Sequence, residues 1–442
     1  MTTVAPAHSW RIAALVWVVA RIMIFGIWWF FSLTTQGDVL YYWQRLNLMW
    51  TGQRTPAETL IEYPTPVVWL LSLPYGLSRL LAGMWSSAPE ASRPVFVVVF
   101  IVSLLLLDLL FAVSLWRAGG ERRRFALGFW VLFTTLMGPI TYMRFDLIPA
   151  VLAGWAVLGL LRRRPAGSGV LVGLGAAVKL WPALLWPALL GADRRSQLRA
   201  SAGFWGVGIA LAGVSWGWAG WGRLMSPLTW QSGRGLQVES IWATGVMLVR
   251  CLAPEQYQVA ISRWQAFEIS GAGVGPMLTA ANVATVIGIA ALVGSYLLWL
   301  ARAERSVVDA GLLMLLVVLV TIVTNKTFSP QYMIWLGGPL AAVLVAAGQP
   351  GAEQQTPSWS QLRAVMIWVL GLTLGTQLVY PILYEPLIHG GPLLPVATAI
   401  LVARNAAMAW FTVTLARLVW RTLRRTTDSR AHRRREIRGS RP

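Results

Sequence analysis

Residues 95–116 read VFVVVFIVSLLLLDLLFAVSLW, and this apolar block decides the fold class. As a helix, a block of this length crosses a hydrocarbon core of roughly 30 Å. Similar blocks, such as Val283–Leu300, recur towards the C-terminal end of the chain. Only 12% of the 442 residues are charged, against about 25% in an ordinary soluble domain. The sequence therefore predicts an all-α polytopic membrane protein, with one multi-span domain over residues 1–420.

Arginine clusters occupy the short connections between apolar blocks and the C-terminal end. They are Arg117–Arg124, Arg162–Arg164, Arg194–Arg199 and Arg421–Arg441. Short connections rich in arginine stay on the cytoplasmic side of a membrane. The formal net charge of +20 therefore indicates a lipid bilayer as partner, and we expect no nucleic acid. Residues 421–442 lack apolar periodicity, which predicts a disordered basic cytoplasmic tail.

With these clusters inside, the apolar blocks predict a topology in which both termini are cytoplasmic. The first block is too long for a signal-peptide core, so we expect it to be retained. The predicted spans are residues 12–33, 94–116, 125–141, 147–161, 200–220, 273–300, 308–324, 331–348, 363–383 and 393–420. Segment 64–85 is broken by prolines and is predicted to be re-entrant or interfacial. Segment 168–191 is predicted to be a hairpin of two half-helices. Irregular backbone at such depth indicates a cavity.

The composition excludes several kinds of site. The single cysteine, Cys251, excludes a disulfide framework and a cysteine-built metal site. The 3 histidines exclude a multi-histidine metal site. The chain also has no phosphate-binding GxxxxGK[ST] loop, no HExxH motif and no Rossmann glycine pattern. We therefore expect no metal and no cofactor, and a reaction driven by an activated substrate.

The predicted topology places the chemically varied residues opposite the arginine clusters. Asp38 directly follows the first span, where a carboxylate could act as a base at the bilayer surface; a solvated residue at a helix start is the alternative. Arg144 and Asp146 lie between two apolar blocks with almost no loop. Charges so close to hydrocarbon pair with each other, as a self-satisfied turn, or with a substrate.

Lysine is rare in this chain, since Lys179 and Lys326 are the only lysines among 37 basic residues. Lys179 lies in an apolar setting inside the predicted hairpin, and Lys326 lies at the outer end of a span. Two compact ammonium groups converging on one outer cavity suit a phosphate or diphosphate; snorkelling to the interface is the alternative. Arg234, between two glycines, could add a phosphate contact or belong to an ordinary loop.

Several short motifs occur in an order that resembles a known family. After Asp38 they are Tyr63-Pro64-Thr65-Pro66, Arg144-Phe145-Asp146-Leu147-Ile148-Pro149-Ala150, Leu174–Pro182, Arg234–Ser240 and Phe328-Ser329-Pro330-Gln331-Tyr332. Together they resemble the GT-C glycosyltransferases that use polyprenyl-phosphate-mannose, glycosyltransferase family 87, in its actinobacterial form. The resemblance covers about residues 30–345. Here the early motif reads YPTP where members commonly read YPP, and RFD replaces a Gly-Gln-containing turn.

The resemblance implies a GT-C fold of roughly 10 to 13 transmembrane or re-entrant helices in the plasma membrane, with a first outer loop over residues 34–63. It implies a polyprenyl-phosphate-sugar donor, with mannose as the sugar, and a glycolipid or glycan acceptor on the extracytoplasmic side. Asp38 takes the position of the general base in an inverting displacement. The residues expected to hold the donor phosphate are Lys179, Lys326, Arg144 and Arg234. The residues expected to contact substrate are Tyr63, Asp146, Glu239, Gln331 and Tyr332.

Two alternatives stay open. A polyprenyl-phosphate arabinofuranosyltransferase would use the same residues, because nothing in the sequence separates the two sugars. A lipid or solute transporter or flippase would also have broken helices around a central cavity. A transporter predicts an inverted repeat and polar residues on the cytoplasmic side, and we find neither convincingly in the sequence. We therefore expect an enzyme.

Overall fold

Helices make up most of the chain. The structure, a computed structural model, describes residues 8–350 and 357–439, with side chains for 10–350 and 357–424. The helices in these ranges are α1 His8–Phe31, α2 Gly37–Trp50, α3 Pro66–Ala82, α4 Ser92–Arg117, α5 Arg123–Met137, α6 Ile140–Met143, α7 Leu147–Leu161, α8 Pro165–Val178, α9 Arg194–Ser232, α10 Thr244–Leu252, α11 Val274–Ala301, α12 Val307–Thr324, α13 Ile334–Ala346, α14 Trp359–Gln377, α15 Tyr384–His389 and α16 Leu394–Gly439. The strands are β1 Leu236–Gln237, β2 Tyr257–Ile261 and β3 Phe267–Gly271.

Seven of the described helices are long and apolar enough to cross a membrane. They contain α1, α4, α9, α11, α12, α14 and α16. Shorter apolar helices, which include α3, α7, α8 and α13, lie among them. The predicted class, an all-α polytopic membrane protein, is therefore confirmed.

Helix α13, which forms the predicted span 331–348, is surrounded by protein. Helix α13 has 13 residues, all of them buried, and a helix of that length is only about 20 Å long. A Cβ at Gly338 of α13 would lie 2.0 Å from the carbonyl oxygen of Ala150 on α7. A Cβ at Gly154 would lie 2.7 Å from the carbonyl oxygen of Gly338. Glycine at both positions lets the two backbones touch, as is common between membrane helices.

The predicted hairpin over 168–191 has its turn at Lys179. Helix α8 ends at Val178, and the chain returns as a 3₁₀ segment, Trp181–Leu189. Helix α9 then packs on α8 through two glycines: a Cβ at Gly169 would lie 2.0 Å from the carbonyl oxygen of Ala200, and a Cβ at Gly203 would meet α8 in the same way. These close contacts hold the irregular 3₁₀ backbone inside the protein.

The carboxylate of Asp108 lies inside the bundle and joins four helices. It is fully buried on α4 and accepts two bonds of 2.8 Å from the guanidinium of Arg21 on α1. The indole of Trp130 on α5 donates to it at 2.6 Å, and the hydroxyl of Tyr142 on α6 donates at 2.8 Å. Each carboxylate oxygen therefore has two donors, which offsets the cost of burying the charge. The network fixes α1 against α4 and α5.

The connections between helices fall on two opposite faces of the bundle. One, called here the basic face, carries Arg163, Arg195 and Arg305, which line a common cavity. The other, called here the site face, carries Asp38 and Lys179. Helix α8 and the 3₁₀ segment each run from one face to the other. Which face is cytoplasmic stays a prediction.

A small antiparallel sheet interrupts the helical pattern between α9 and α11. Its strand order is β1-β3-β2, with Ile269 of the central strand opposite Leu236 on one side and Val259 on the other. The sheet, α10 and parts of α15 and α16 share an apolar cluster of their own. Residues 241–270 therefore contain no described helix long enough to cross; α10 has only 9 residues.

The proline-broken segment 64–85 forms α3, which packs beside the first half of α4. Residues Leu70–Leu77 and Val99–Leu104 line a shared cleft. The hydroxyl of Tyr75 donates to the side-chain oxygen of Asn47 on α2, at 2.9 Å. Helix α3 is thus held between α2 and α4 on the side of the bundle that carries Asp38.

Several element bounds differ from the predicted ones. The predicted span 125–141 is divided, because α5 ends at Met137 and Gly138 takes a φ of 62° before α6. Helix α9, predicted to end near residue 220, continues to Ser232 past a kink at Gly220. The predicted loop 34–63 contains α2, and α16 continues to Gly439. The disordered tail 421–442 stays a prediction, since side chains beyond residue 424 lie outside the described part.

We expect Asp108→Asn to lower the thermal stability of the detergent-solubilised protein. An amide cannot balance the charge of Arg21, and breaking a buried ion pair from one side costs about 3–5 kcal/mol. Thermal unfolding followed by intrinsic fluorescence should show a lower midpoint. Ser114→Ala on the same helix is the control, since its hydroxyl bonds the carbonyl oxygen of Leu110 one turn away. Equal midpoints for the two variants would contradict the proposed role of the network.

Candidate active site

An ion pair joins two of the predicted site residues on the site face. Asp38 is the second residue of α2, and its carboxylate pairs with the guanidinium of Arg144, which lies between α6 and α7. The α2 N-terminus favours a negative charge at this position. Gln36, not Asp38, is the N-cap of α2. A simple helix-start residue would be solvated and would not need a partner. Asp38 has one, Arg144, which lies 106 positions further along the chain.

A second ion pair lies beside the first. Asp146 is the N-cap of α7, and one of its oxygens accepts a bond of 2.5 Å from the ammonium of Lys179. The same oxygen accepts a bond of 2.6 Å from the indole of Trp335. Arg144 and Asp146 therefore do not form the self-satisfied turn that the sequence allowed, because each pairs with a residue on another element.

Aromatic rings surround the ammonium of Lys179. It lies 5.5 Å from the ring centre of Phe145, 5.6 Å from that of Tyr332 and 5.3 Å from that of Trp335. Rings at such distances attract a cation through their π faces. Lys179 is the C-cap of α8 in an extended conformation, so the hairpin turn itself delivers the ammonium to this place.

The rings continue as a row across the site face. Trp181 stacks on Trp335 with centroids 5.1 Å apart, and Trp335 stacks on Tyr332 at 4.2 Å. Phe328 follows at 6.1 Å from Tyr332, and the guanidinium of Arg404 lies 4.3 Å from the Phe328 ring centre. This aromatic row separates the Lys179 pair from the Glu239 region described below.

A cavity of about 450 Å³ opens on one side of the aromatic row. Its walls come from the hairpin turn, α9, α12 and the segment that precedes α3. Of the predicted site residues, Tyr63, Lys179 and Tyr332 line it. The other lining residues are Glu62, Pro64, Leu180, Trp181, Ala183, Leu184, Pro227, Leu228, Gln231, Thr321, Asn325 and Trp335. Asp38 and Arg144 are not among them, and the ring of Phe145 packs on Tyr63 between the two places, at 4.8 Å.

Glu62 lines the cavity, although the sequence-based prediction did not include it. Its carboxyl lines the cavity with Lys179. Burial raises the pKa of Glu62, while a hydrogen bond from Tyr41 and the charges of Arg45 and Arg223 act in the opposite direction. The available signal was its position directly before the Tyr63-Pro64 motif.

The loop that carries Glu62 is fixed by one buried arginine. The guanidinium of Arg223, on α9, donates to the carbonyl oxygens of Thr59 at 3.2 Å, Leu60 at 3.0 Å and Tyr63 at 2.9 Å. Ser226, one turn further, donates to the carbonyl oxygen of Ile61 at 2.7 Å. The second part of α9, beyond its kink at Gly220, therefore positions the cavity wall. The sequence prediction, which ended this helix near residue 220, could not show this contact.

Glu239 lies on the far side of the aromatic row. Its carboxylate is fully buried, 3.7 Å from the guanidinium of Arg404 on α16, and neither of its oxygens has a hydrogen-bond partner among the described residues. Burial raises the pKa of Glu239 to about 7, and the charge of Arg404 opposes that shift. Asn405 donates to the carbonyl oxygens of Glu239 and Ser240. Arg404 and Asn405 had not been predicted as site residues.

Lys326 and Arg234 form a separate group near the sheet. The ammonium of Lys326 donates to the carbonyl oxygen of Ser232 at 2.9 Å. Burial lowers the pKa of Lys326, Glu268 opposes the change and Arg234 adds to it. Lys326 does not line the cavity, although Asn325 beside it does. The structure thus brings one of the two lysines into the cavity and places the other next to its wall.

The remaining predicted residue, Gln331, lies in a short 3₁₀ turn, Pro330–Met333, just before α13. It is half-buried and precedes Tyr332 of the aromatic row. In the described part of the chain, no group of three His, Cys, Asp or Glu side chains could hold a metal ion.

Comparison with known proteins relates this geometry to a family. The family model described as glycosyltransferase family 87 matches residues 65–320, more than half of the chain. The chain belongs to glycosyltransferase family 87. This membrane glycosyltransferase has no match among curated proteins. Family membership favours the enzyme interpretation over a transporter.

The matched range is shorter than the predicted resemblance, which covered about residues 30–345. Within it lie Arg144, Asp146, Lys179, Arg234 and Glu239. Outside it lie Asp38, Tyr63, Lys326, Gln331 and Tyr332. Both ion pairs therefore include residues within the match, and the base candidate of the transferase lies before it.

We expect Lys179→Met to destabilise the transferase more than Asp146→Asn. Without Lys179, the Asp146 carboxylate, 2% exposed, keeps Trp335 as its one side-chain donor among the described residues. Without the Asp146 charge, the Lys179 ammonium, 17% exposed, can still be solvated from the cavity. An unpaired buried charge costs about 3–5 kcal/mol.

The measurement is the thermal midpoint of the wild type, both single variants and the double variant. The loss in the double variant should be smaller than the sum of the single losses, because the two residues interact directly. A larger loss for Asp146→Asn than for Lys179→Met would show that the cavity does not solvate the ammonium.

We expect Glu239→Gln to stabilise the transferase at high pH. Because the folded-state pKa of Glu239 lies above the usual carboxyl value, this group stabilises the fold at low pH. That contribution is lost as the pH rises from about 4.5 through about 7. The amide keeps the neutral form, so its thermal midpoint should exceed that of the wild type at about pH 8 and match it at about pH 5.

The control is Glu90→Gln, the same change at an exposed position on the site face, for which no such pH dependence is expected. A lower midpoint for Glu239→Gln at the higher pH would instead show that ionised Glu239 stabilises the fold through Arg404.

Proposed function

We propose that this transferase moves a sugar, mannose, from a polyprenyl-phosphate donor to a hydroxyl group of a glycolipid or glycan acceptor. The observation that carries the proposal is the cavity that Lys179 and Glu62 both line, with the Asp38–Arg144 pair outside it across the packed rings of Phe145 and Tyr63. Its volume of about 450 Å³ lies within the usual range for small-molecule sites, about 300–1,000 Å³. We place the reaction on the extracytoplasmic side, because the basic face fits the cytoplasmic side.

Lys179 is the group that we assign to the donor phosphate. Its ammonium is held by Asp146 and by three rings, yet its exposed side faces the cavity. An ammonium fixed in this way needs little rearrangement to bind an anion. Arg144, two residues before Asp146 in the chain, can add a second cation at the same end.

The shape of the cavity favours a donor with a lipid chain. Leu184 and Leu228 line the cavity and are also 43% and 53% exposed on the surface of the bundle. The cavity therefore has an apolar opening between the 3₁₀ segment and α9. A polyprenyl chain can leave through this opening into the bilayer while its phosphate stays at Lys179.

Asp38 is the group that we assign as the general base. In the reaction, the Asp38 carboxylate takes the proton of the acceptor hydroxyl, and the hydroxyl oxygen forms the new bond to the sugar C1. The bond between C1 and the phosphate oxygen breaks, and polyprenyl phosphate leaves with the electron pair. Arg144 holds Asp38 before the donor binds; its transfer to the donor phosphate would release the carboxylate for this step.

The sugar itself would lie between the aromatic row and Glu62. Flat rings such as Tyr332 and Trp335 suit the apolar face of a sugar, and a carboxylate accepts hydrogen bonds from its hydroxyl groups. The remaining predicted residues, Lys326, Arg234, Glu239 and Gln331, do not line the cavity, and we assign them to the acceptor side or to the support of the wall.

We expect Asp38→Asn to abolish sugar transfer while the protein remains folded. Removing a general base lowers the rate by about 10²–10⁴-fold, and asparagine keeps the shape of aspartate. Transfer is measured from labelled polyprenyl-phosphate-mannose to a mixed lipid extract, at matched membrane levels. Glu90→Gln, the exposed carboxylate on the same face, is the control and should keep full activity.

The same assay with Glu62→Gln separates the two carboxyl groups. Loss of activity in Glu62→Gln with retention in Asp38→Asn would transfer the role of base to Glu62. A wild-type protein that transfers no mannose would contradict the proposed sugar, and the arabinofuranosyl donor would then be tested in its place.

A further inference from the structure

A second cavity lies on the basic face, at the other end of the 3₁₀ segment from Lys179. Its volume is about 460 Å³, and none of its lining residues belongs to the active-site cavity. Four arginines line it: Arg163, Arg195, Arg199 and Arg305. Its one carboxylate, Asp193, accepts a bond of 2.8 Å from the backbone N–H of Ser196. The walls therefore carry a clear excess of positive charge.

Three helices begin at this cavity. The lining includes Pro165 at the start of α8, Arg195 in the first turn of α9 and Val307 at the start of α12. The first-turn N–H groups of a helix have no partner within the helix, and the helix dipole adds a positive potential there. The side chains of Asp193 and Ser306 already cap α9 and α12, and Pro165 has no N–H, so these ends favour an anion mainly through their dipoles, together with the arginines.

One wall of this cavity is fixed by hydrogen bonds and contains a hydrogen-bond donor that has no acceptor among the described residues. Arg305 donates to the carbonyl oxygens of Leu190, at 2.9 Å, and Leu300, at 2.5 Å. Beside it, Trp299 is 1% exposed and lines the cavity, and its indole N–H has no acceptor among the described residues. A buried donor without an acceptor costs about 1–3 kcal/mol, which indicates a ligand that supplies the acceptor.

We infer that this cavity binds the phosphate group of an anionic lipid. Guanidinium groups bind phosphate oxygens in pairs, and basic pockets between membrane helices bind anionic headgroups on the cytoplasmic side. Apolar side chains lie close by on the outer surface of the bundle, among them Leu198 on α9, 60% exposed. Acyl chains can therefore lie along α9 while the phosphate occupies the cavity. Soluble phosphate has the same chemistry and is the other source to be tested.

This inference does not depend on the proposed function, because the two cavities lie on opposite faces and share no lining residue. Its test is a binding measurement and needs no sugar donor. The full-length protein, purified in a neutral detergent, is titrated with phosphatidylglycerol or phosphatidylcholine, and the bound lipid is counted by native mass spectrometry.

The site variant is Arg195→Gln with Arg199→Gln. The matched control is Arg117→Gln with Arg124→Gln, which removes the same charge from two exposed arginines, the last residue of α4 and the second residue of α5. Wild type and control should bind phosphatidylglycerol about tenfold more tightly than phosphatidylcholine, and the site variant should lose this preference. Thermal midpoints show that each variant is folded. Trp299→Phe, which removes the indole N–H together with part of the ring, should also weaken binding of phosphatidylglycerol, and its thermal midpoint shows the effect of the lost ring volume.

An equal loss in the site and control variants would overturn the inference, since net charge would then explain the binding. Equal affinity of the wild type for the two lipids would overturn it as well. Binding of inorganic phosphate without binding of phosphatidylglycerol, lost in the site variant, would support the anion site and replace the lipid by a soluble ligand.

Discussion

A charge surrounded by hydrocarbon needs a partner, and this constraint organises the whole bundle. Asp108 is placed between Arg21 and two aromatic donors, and through them α1 is joined to the core. Near the basic face, Asp309 pairs with Arg302 at 3.0 Å. Such pairs add modest stability compared with apolar packing, but breaking one is costly. They therefore act mainly by selecting which helix faces meet.

At the candidate active site this pairing is incomplete. Asp146 is almost entirely buried, whereas its partner Lys179 keeps an exposed side in the cavity. The Asp38–Arg144 pair is likewise partly exposed. In an ion pair with one buried and one partly exposed member, the exposed member can leave its partner and bind a substrate while the protein stays folded. The same interaction thus supports the core and, at the site face, leaves a partly exposed cation in the cavity.

The fold class, most helix positions and the turn at Lys179 could be predicted from the sequence, because apolar length and arginine clusters are local signals. The partners of the charged residues could not. Arg21 and Asp108 lie 87 positions apart, and Glu239 and Arg404 lie 165 apart; such contacts depend on how helices pack. Lys326 illustrates this limit of sequence-based prediction. The rarity of lysine and the position of Lys326 at the end of a span predicted a cavity residue, but its ammonium donates to the carbonyl oxygen of Ser232. Glu62 was overlooked because a single carboxylate beside a motif has no periodic or charge signature.

One short segment joins the walls of the two cavities. The nine-residue 3₁₀ segment Trp181–Leu189 contributes lining residues to both, and at this length it is about 18 Å long. A shift of this segment would therefore move a wall of each cavity at the same time.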